Sequence, residues 1–209
     1  MILSTQTLPE GYFQTYEINL AKDKRLAILL NVLGFIIFVL TFVLLVFFIR
    51  WIRPGILISG FYLKGNLSTL WDLLVLIIFV AFNLAFHELI HGFFFWVFTR
   101  SKPVYALHLA YAYAAAPDWY IPVRQYWIIG LAPLVIIDAI GLLLILAAPA
   151  SWLLIIVFLV TLNTGGAIGD LFIISRLLRV TPDCLVRDKG DGVCFFEPRR
   201  PSSNQGREV

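Results

Sequence analysis

Charged residues are scarce in this sequence. They form 14% of the chain, whereas soluble domains have roughly 25%, and hydrophobic residues form 60% of it. The mean hydropathy is +0.89. This composition excludes an ordinary soluble domain and indicates that lipid surrounds most of the chain.

Three further absences narrow the classes of function. Residues 1–20 lack the basic start, apolar stretch and cleavage site of a signal peptide, so we expect the first apolar run to direct insertion. Lys and Arg residues border the apolar runs and form no patch, so we expect membrane lipid, and no nucleic acid, as a partner. Cys184 and Cys194 lack the close spacing of a zinc-binding cysteine pair.

Four apolar runs are long enough to cross a bilayer, at residues 26–49, 70–98, 125–148 and 151–178. The first is almost purely aliphatic and aromatic, and we interpret it as an anchor without chemistry. In the fourth, glycines within residues 163–170 permit close helix packing or a local break. The predicted fold class is an all-α membrane protein with about four transmembrane helices.

Two segments outside these runs favour β structure. Val104 to Ala114 alternates large and small side chains, which predicts a short strand after the second helix. Cys184 to Phe196 contains a glycine-rich turn between two short apolar segments, which predicts a C-terminal β-hairpin. The expected organisation is a cytoplasmic segment (1–25), a four-span membrane domain (26–180), the hairpin (181–198) and a disordered polar tail (199–209).

Basic residues in the loops predict the orientation. Three clusters border the spans on one side: Lys22 to Arg25, Arg100 to Arg124, and Arg176 to Arg179. An even number of spans returns the chain to its starting side, so these clusters share one face. The positive-inside rule then predicts a multi-pass protein of the cell membrane with both termini in the cytoplasm. Arg50, Arg53 and Lys64 on the opposite side argue against this orientation.

The strongest motif is His87-Glu88-Leu89-Ile90-His91, inside the second run. On a helix, the i, i+4 spacing places both imidazoles on one face, where they can bind a single Zn²⁺. Glu88 follows the first ligand and can act as a general base toward a water molecule. Each ionisable residue at lipid depth costs roughly a few kcal/mol. Three of them together therefore indicate a metal site in preference to a chance pattern.

Catalytic zinc normally has three protein ligands, so one more is required. Asp170 in the fourth span is the first choice. His91 lies nine residues before Arg100, and Asp170 lies nine before Arg179, so both should sit at the same depth. The structural alternative is that Asp170 pairs with Arg176.

Four other polar residues are candidates for lesser roles. His108, in the predicted strand, is the competing third ligand, although a lone histidine there is more often structural or transfers protons. Asp138 lies in the far half of the third span, where we expect a partner on a neighbouring helix and no contact with the metal. Asn83 and Asn163 could each orient a ligand, bind substrate or hold two helices together.

These motifs together resemble a known family. The chain is similar to the Putative zincin peptidase family, small bacterial membrane proteins of unknown function, in four segments: His87 to Gly92, Pro117 to Pro133, Asn163 to Asp170 and Asp188 to Gly192. More remotely it resembles site-2 intramembrane metalloproteases, in which a zinc helix and an aspartate on a later helix build a site within the bilayer. This resemblance implies that His87, His91 and Asp170 are ligands and that Glu88 is the base.

The leading hypothesis is therefore a zinc-dependent intramembrane metallopeptidase, with residues 26–180 as its catalytic domain. Its expected substrate is a peptide or membrane protein, cleaved in or near the bilayer. The alternative is a membrane protein that binds or transports a metal, or serves as a scaffold, without hydrolysis. Glu88 discriminates between the two, because a transporter or scaffold needs ligands but no general base.

Overall fold

The computed structural model describes residues 3–56, 67–107 and 112–199, except for the side chains of residues 67–69. Lys64, His108 and nearly all of the predicted disordered tail at 199–209 lie outside the described residues. The statements below on the fold concern the described part of the chain.

Five helices form the body of the protein: α1 (Lys24–Ile52), α2 (Leu67–Thr99), α3 (Val123–Ala147), α4 (Ala150–Gly166) and α5 (Ile168–Leu177). Four segments are long and apolar enough to cross a membrane, and α4 and α5 together form the fourth. The chain is therefore a membrane protein with four candidate spans. The predicted bounds are confirmed to within three residues.

Polar residues at the helix ends explain where the first span starts. The Asp23 carboxylate accepts a hydrogen bond of 3.0 Å from the Leu26 N–H, which caps the N-terminus of α1. At the other end of the bundle, the Arg53 guanidinium donates to the carbonyls of Ile145 and Ala148 at 3.1 and 2.7 Å. Arg53, which argued against the predicted orientation, thus caps the C-terminus of α3.

The fourth span is interrupted just before Asp170. Gly165 packs so closely on α1 that a Cβ there would lie 2.8 Å from the Gly34 carbonyl oxygen. The helix then breaks at Ala167, which ends α4 and precedes α5. The glycine-rich segment therefore provides both the close packing and the break that it permits. The break places Asp170 in the first turn of α5.

The strands are β1 (Tyr12–Asn19), β2 (Val104–Leu107), β3 (Ala112–Ala115), β4 (Ile121–Pro122), β5 (Leu185–Asp188) and β6 (Gly192–Pro198). One sheet has the order β1-β6-β5-β4, and β2 pairs with β3. Each strand adjoins the start of α1 or α3 or the end of α2 or α5, so all of them lie at one end of the bundle. The predicted C-terminal hairpin is confirmed as β5 and β6.

Two predictions of β structure need correction. Val104 to Ala114 is not one strand, because β2 and β3 pair antiparallel as a hairpin. The all-α fold class is also incomplete, since β1 and β4 extend the C-terminal hairpin into a four-stranded sheet. β1 is mostly exposed and therefore lacks the alternation that marks a half-buried strand, and β4 has only two residues.

A shared core fixes the sheet to the helices. Phe95 of α2, Ile129 of α3 and Phe195 of β6 are all buried in one cluster. Burial of large apolar side chains from both helices and strands makes the end of the bundle a single packed unit. This unit surrounds the ends of α2 and α5, where the predicted site residues lie.

Candidate metal centre

Three predicted ligands converge between α2 and α5. Asp170 Oδ2 lies 3.1 Å from His87 Nε2 and 3.4 Å from His91 Nε2. One donor atom of each residue lies within 4.8 Å of the other two. Among the described residues, no salt bridge joins Asp170 to Arg176, the alternative partner. The predicted convergence of the three side chains is therefore confirmed.

The second nitrogen of each imidazole meets an oxygen atom that can only accept. His87 Nδ1 lies 2.9 Å from Asn163 Oδ1, and His91 Nδ1 lies 2.9 Å from the Ile129 carbonyl oxygen. Each Nδ1 must therefore carry a proton and donate it. In the neutral ring this leaves Nε2 with a free lone pair, and both lone pairs face Asp170.

Pro133 makes the Ile129 carbonyl available to His91. In a helix, a carbonyl normally accepts from the N–H four residues later, and proline has no N–H. Pro133 is fully buried inside α3, at the position that would otherwise donate to Ile129. The acceptor that orients His91 is thus a backbone group released by a proline.

The donor set fits a divalent metal. Two nitrogen lone pairs and a carboxylate oxygen repel one another unless positive charge lies among them. Two imidazolium rings would supply it, but their centroids are 4.9 Å apart and like charges at lipid depth are costly. Atoms bound at about 2.0–2.2 Å to tetrahedral Zn²⁺ lie roughly 3.3–3.5 Å apart. The observed separations of 3.1 and 3.4 Å are close to this value.

Glu88 is held beside this group from the opposite side. Its Oε2 accepts a hydrogen bond of 2.8 Å from the Ala114 N–H of β3. Gly92, one turn further along α2, leaves space for Tyr105 of β2, because a Cβ there would collide with the Tyr105 hydroxyl. Burial, followed by the charge of Glu88, raises the pKa of the Tyr105 phenol. The β2–β3 hairpin therefore positions the carboxylate that the motif supplies.

A cavity of about 620 Å³ opens onto these side chains. His87, Glu88, His91 and Asp170 form one wall, and α1 contributes another that includes Asn31. α3, α5, β3 and the turn between β5 and β6 complete it. The interpretation of the first span as an anchor without chemistry is thus too narrow, since α1 borders the space that a ligand would occupy.

Asp188 connects the turn of the C-terminal hairpin to α3 at the cavity wall. Its carboxylate accepts hydrogen bonds from the Tyr126 hydroxyl and the Gly190 N–H. Burial raises the pKa of the Asp188 carboxyl to about 6, although both hydrogen bonds favour its charged form. This contact fixes the glycine-rich turn over the site.

The remaining candidates have different places in the structure. Asn163 contacts His87, whereas Asn83 donates to the Leu159 carbonyl at 3.4 Å and so joins α2 to α4. Asp138 accepts from the Asn163 amide at 2.8 Å, which confirms a partner on a neighbouring helix. His108 lies outside the described residues.

Two groups at the site are backbone atoms that the sequence did not reveal. The Ile129 carbonyl and the Ala114 N–H could not be found from residue type, because every residue has such groups. Pro133, inside an otherwise uninterrupted apolar run, was the available signal for a released carbonyl.

No curated protein and no solved structure matches the chain. A family model does match, over residues 78–185. The matched range includes His87, Glu88, His91 and Asp170 together with the β2–β3 hairpin, and it leaves out α1 and β6. The family's description suggests a zincin-like metallopeptidase with zinc as its metal. Because the match covers more than half of the chain, the protein belongs to the family described as Putative zincin peptidase.

Proposed function

We propose that the protein is a zinc-dependent metallopeptidase that hydrolyses peptide bonds in or near the bilayer. One observation carries the proposal: two imidazole nitrogens and a carboxylate oxygen converge, with a second carboxylate beside them, on candidate membrane spans. His87, His91 and Asp170 would hold the metal, and Glu88 would act on the water molecule.

Zinc bound by these residues would polarise the scissile carbonyl and acidify a water molecule. Glu88 accepts the proton of the attacking water and delivers it to the leaving amine. The hydrogen bond from the Ala114 N–H holds Oε2 of Glu88, so that Oε1 can serve the water. The neutral imidazoles stay oriented throughout, because each Nδ1 remains bonded to its acceptor.

The surroundings of the site support a substrate at the membrane. Candidate spans and the strands at one end of the bundle enclose the cavity. We propose that the termini and these strands face the cytoplasm, since the basic clusters lie at the same end. The substrate would then be a peptide or membrane-protein segment that enters from the bilayer or its cytoplasmic surface.

The test is Glu88→Gln, which removes the base but none of the three donors. New protein N-termini are compared by mass spectrometry in cells that express the parent or the variant, and zinc is measured in both purified proteins. We expect parent-specific N-termini to decrease at least about 100-fold while zinc content stays equal. Asp72→Asn, a carboxylate change on the same helix roughly 24 Å along its axis, is the control and should preserve cleavage.

Cleavage that survives in Glu88→Gln would exclude the peptidase and leave a protein that binds or transports metal. Loss of zinc together with cleavage would instead indicate that Glu88 is a ligand. The two measurements therefore separate the base from the metal site.

A further inference from the structure

A chain of hydrogen bonds links Asp138 to His87 across three helices. Asp138 Oδ1 on α3 accepts from Asn163 Nδ2 on α4 at 2.8 Å, and Asn163 Oδ1 accepts from His87 Nδ1 on α2 at 2.9 Å. We propose that Asp138 is a positioning residue, which acts through Asn163 to fix the tautomer and ring orientation of His87. The inference rests on the proposed zinc site but not on the proposed hydrolysis.

The direction of this chain follows from the charge at its end. An ionised carboxylate can only accept, so Asn163 must turn its NH₂ group toward Asp138. Its carbonyl oxygen then faces His87 and can only accept as well. His87 must therefore protonate Nδ1, which leaves the Nε2 lone pair for a metal.

A neutral residue in place of Asp138 would not impose this direction. An amide at position 138 could accept from Asn163 or donate to it with nearly equal ease. If it donated, Asn163 would turn its NH₂ group toward His87, and Nδ1 would have to accept. The proton would then lie on Nε2, where it would block metal binding.

The surroundings of Asp138 favour a role for its charge. Its second oxygen, Oδ2, accepts from the Thr164 hydroxyl at 2.8 Å, so both oxygens have donors. Within the part of the chain that the structure describes, no salt bridge reaches Asp138. A carboxylate in a membrane span normally has a cationic partner. The His87 imidazole and its metal, reached through one amide, would provide the compensating charge.

The experiment is an exchange of the two polar residues. Asp138→Asn alone removes the charge with almost no change in size. In the double variant Asp138→Asn and Asn163→Asp, the amide at 138 can donate to the carboxylate at 163, which in turn accepts from His87. The exchange thus restores the direction and the total charge of the parent. Asn83→Ala is the matched control, because it breaks another polar contact between α2 and α4.

Zinc affinity is measured in detergent by competition with a fluorescent chelator, and thermal unfolding is recorded beside it. We expect a roughly 10- to 100-fold weaker affinity for Asp138→Asn, as for the loss of other groups that orient a metal ligand. The exchanged protein should recover to within about threefold of the parent, and Asn83→Ala should stay there as well. Nitrogen NMR of metal-free, ¹⁵N-histidine-labelled protein, at a pH where the rings are neutral, should show the His87 proton on Nδ1 in the parent and partly on Nε2 in Asp138→Asn.

Two results would overturn the inference. One is an Asp138→Asn protein with parental zinc affinity and parental tautomer. The other is an exchanged protein that binds zinc as weakly as Asp138→Asn, which would assign Asp138 to packing alone. If Asp138→Asn did not fold, the exchanged protein would decide the question by itself. A parent that bound no zinc would overturn the proposed metal site too, whereas absence of hydrolysis alone would leave the inference intact.

Discussion

The two histidines of the site are held in different ways, although they lie one turn apart on the same helix. His87 donates to a side chain, Asn163, that is linked to the carboxylate of Asp138. His91 donates to a backbone carbonyl, that of Ile129, which Pro133 leaves without its usual helical donor. Both arrangements give the same tautomer, but only the first brings a charge to the ligand.

This difference separates two kinds of sensitivity. The His87 side depends on two polar side chains, so a single isosteric substitution can reverse its hydrogen bonds. The His91 side depends on the path of α3, and no side-chain substitution removes a carbonyl. It can be changed only by restoring a competing donor, which is why the proline matters.

Loss of the ligands themselves should have the largest effect and should abolish the difference between the sides. We expect His87→Ala, His91→Ala and Asp170→Ala each to weaken zinc binding by more than about 100-fold, beyond the range for groups that only orient a ligand. Metal analysis of the purified proteins, with Asp72→Asn as the control, checks this. Parental zinc in Asp170→Ala would reassign the third ligand, with His108 as the next candidate.

Pro133→Ala should have an intermediate effect, on the His91 side alone. The new N–H can bond to the Ile129 carbonyl and compete with His91, so we expect zinc affinity to fall by about tenfold. Replacing a proline inside a helix should at the same time raise thermal stability, since alanine is favoured there by up to about 3 kcal/mol. Pro149→Ala, at the N-cap of α4, is the control. Unchanged zinc affinity beside a higher melting temperature would show that Ile129 serves both donors.

Arg53→Gln should have the smallest effect and should spare both sides equally. Arg53 bonds to two carbonyls at the turn between α3 and α4, at the opposite end of the bundle from the strands. Its loss should cost about 1–3 kcal/mol of unfolding free energy, and zinc affinity should stay within about twofold. A large loss of zinc would mean that the packing of α3 and α4, and not the local hydrogen bonds, sets the geometry of the site.

The parts of the site that were predicted from sequence share one property. His87, Glu88 and His91 lie on a regular helix, where a spacing of four residues has a fixed geometric meaning. Asp170 was found by its depth in the fourth span, and the break at Ala167 did not disturb that depth. The β2–β3 hairpin was taken for one strand, because period-two alternation is the same in a strand and in a hairpin. β1 was missed because an exposed edge strand has no buried face to record in its sequence.

The sequence by itself determined that this is a membrane protein, where its four spans lie, and which side chains could bind a metal. These features depend on hydropathy and on helical periodicity, which are local. Only the tertiary structure decided which groups hold those side chains: Asp138 through Asn163, the Ile129 carbonyl and the Ala114 N–H. Such contacts join residues far apart in the chain, and two of the three use backbone atoms that are the same in every residue.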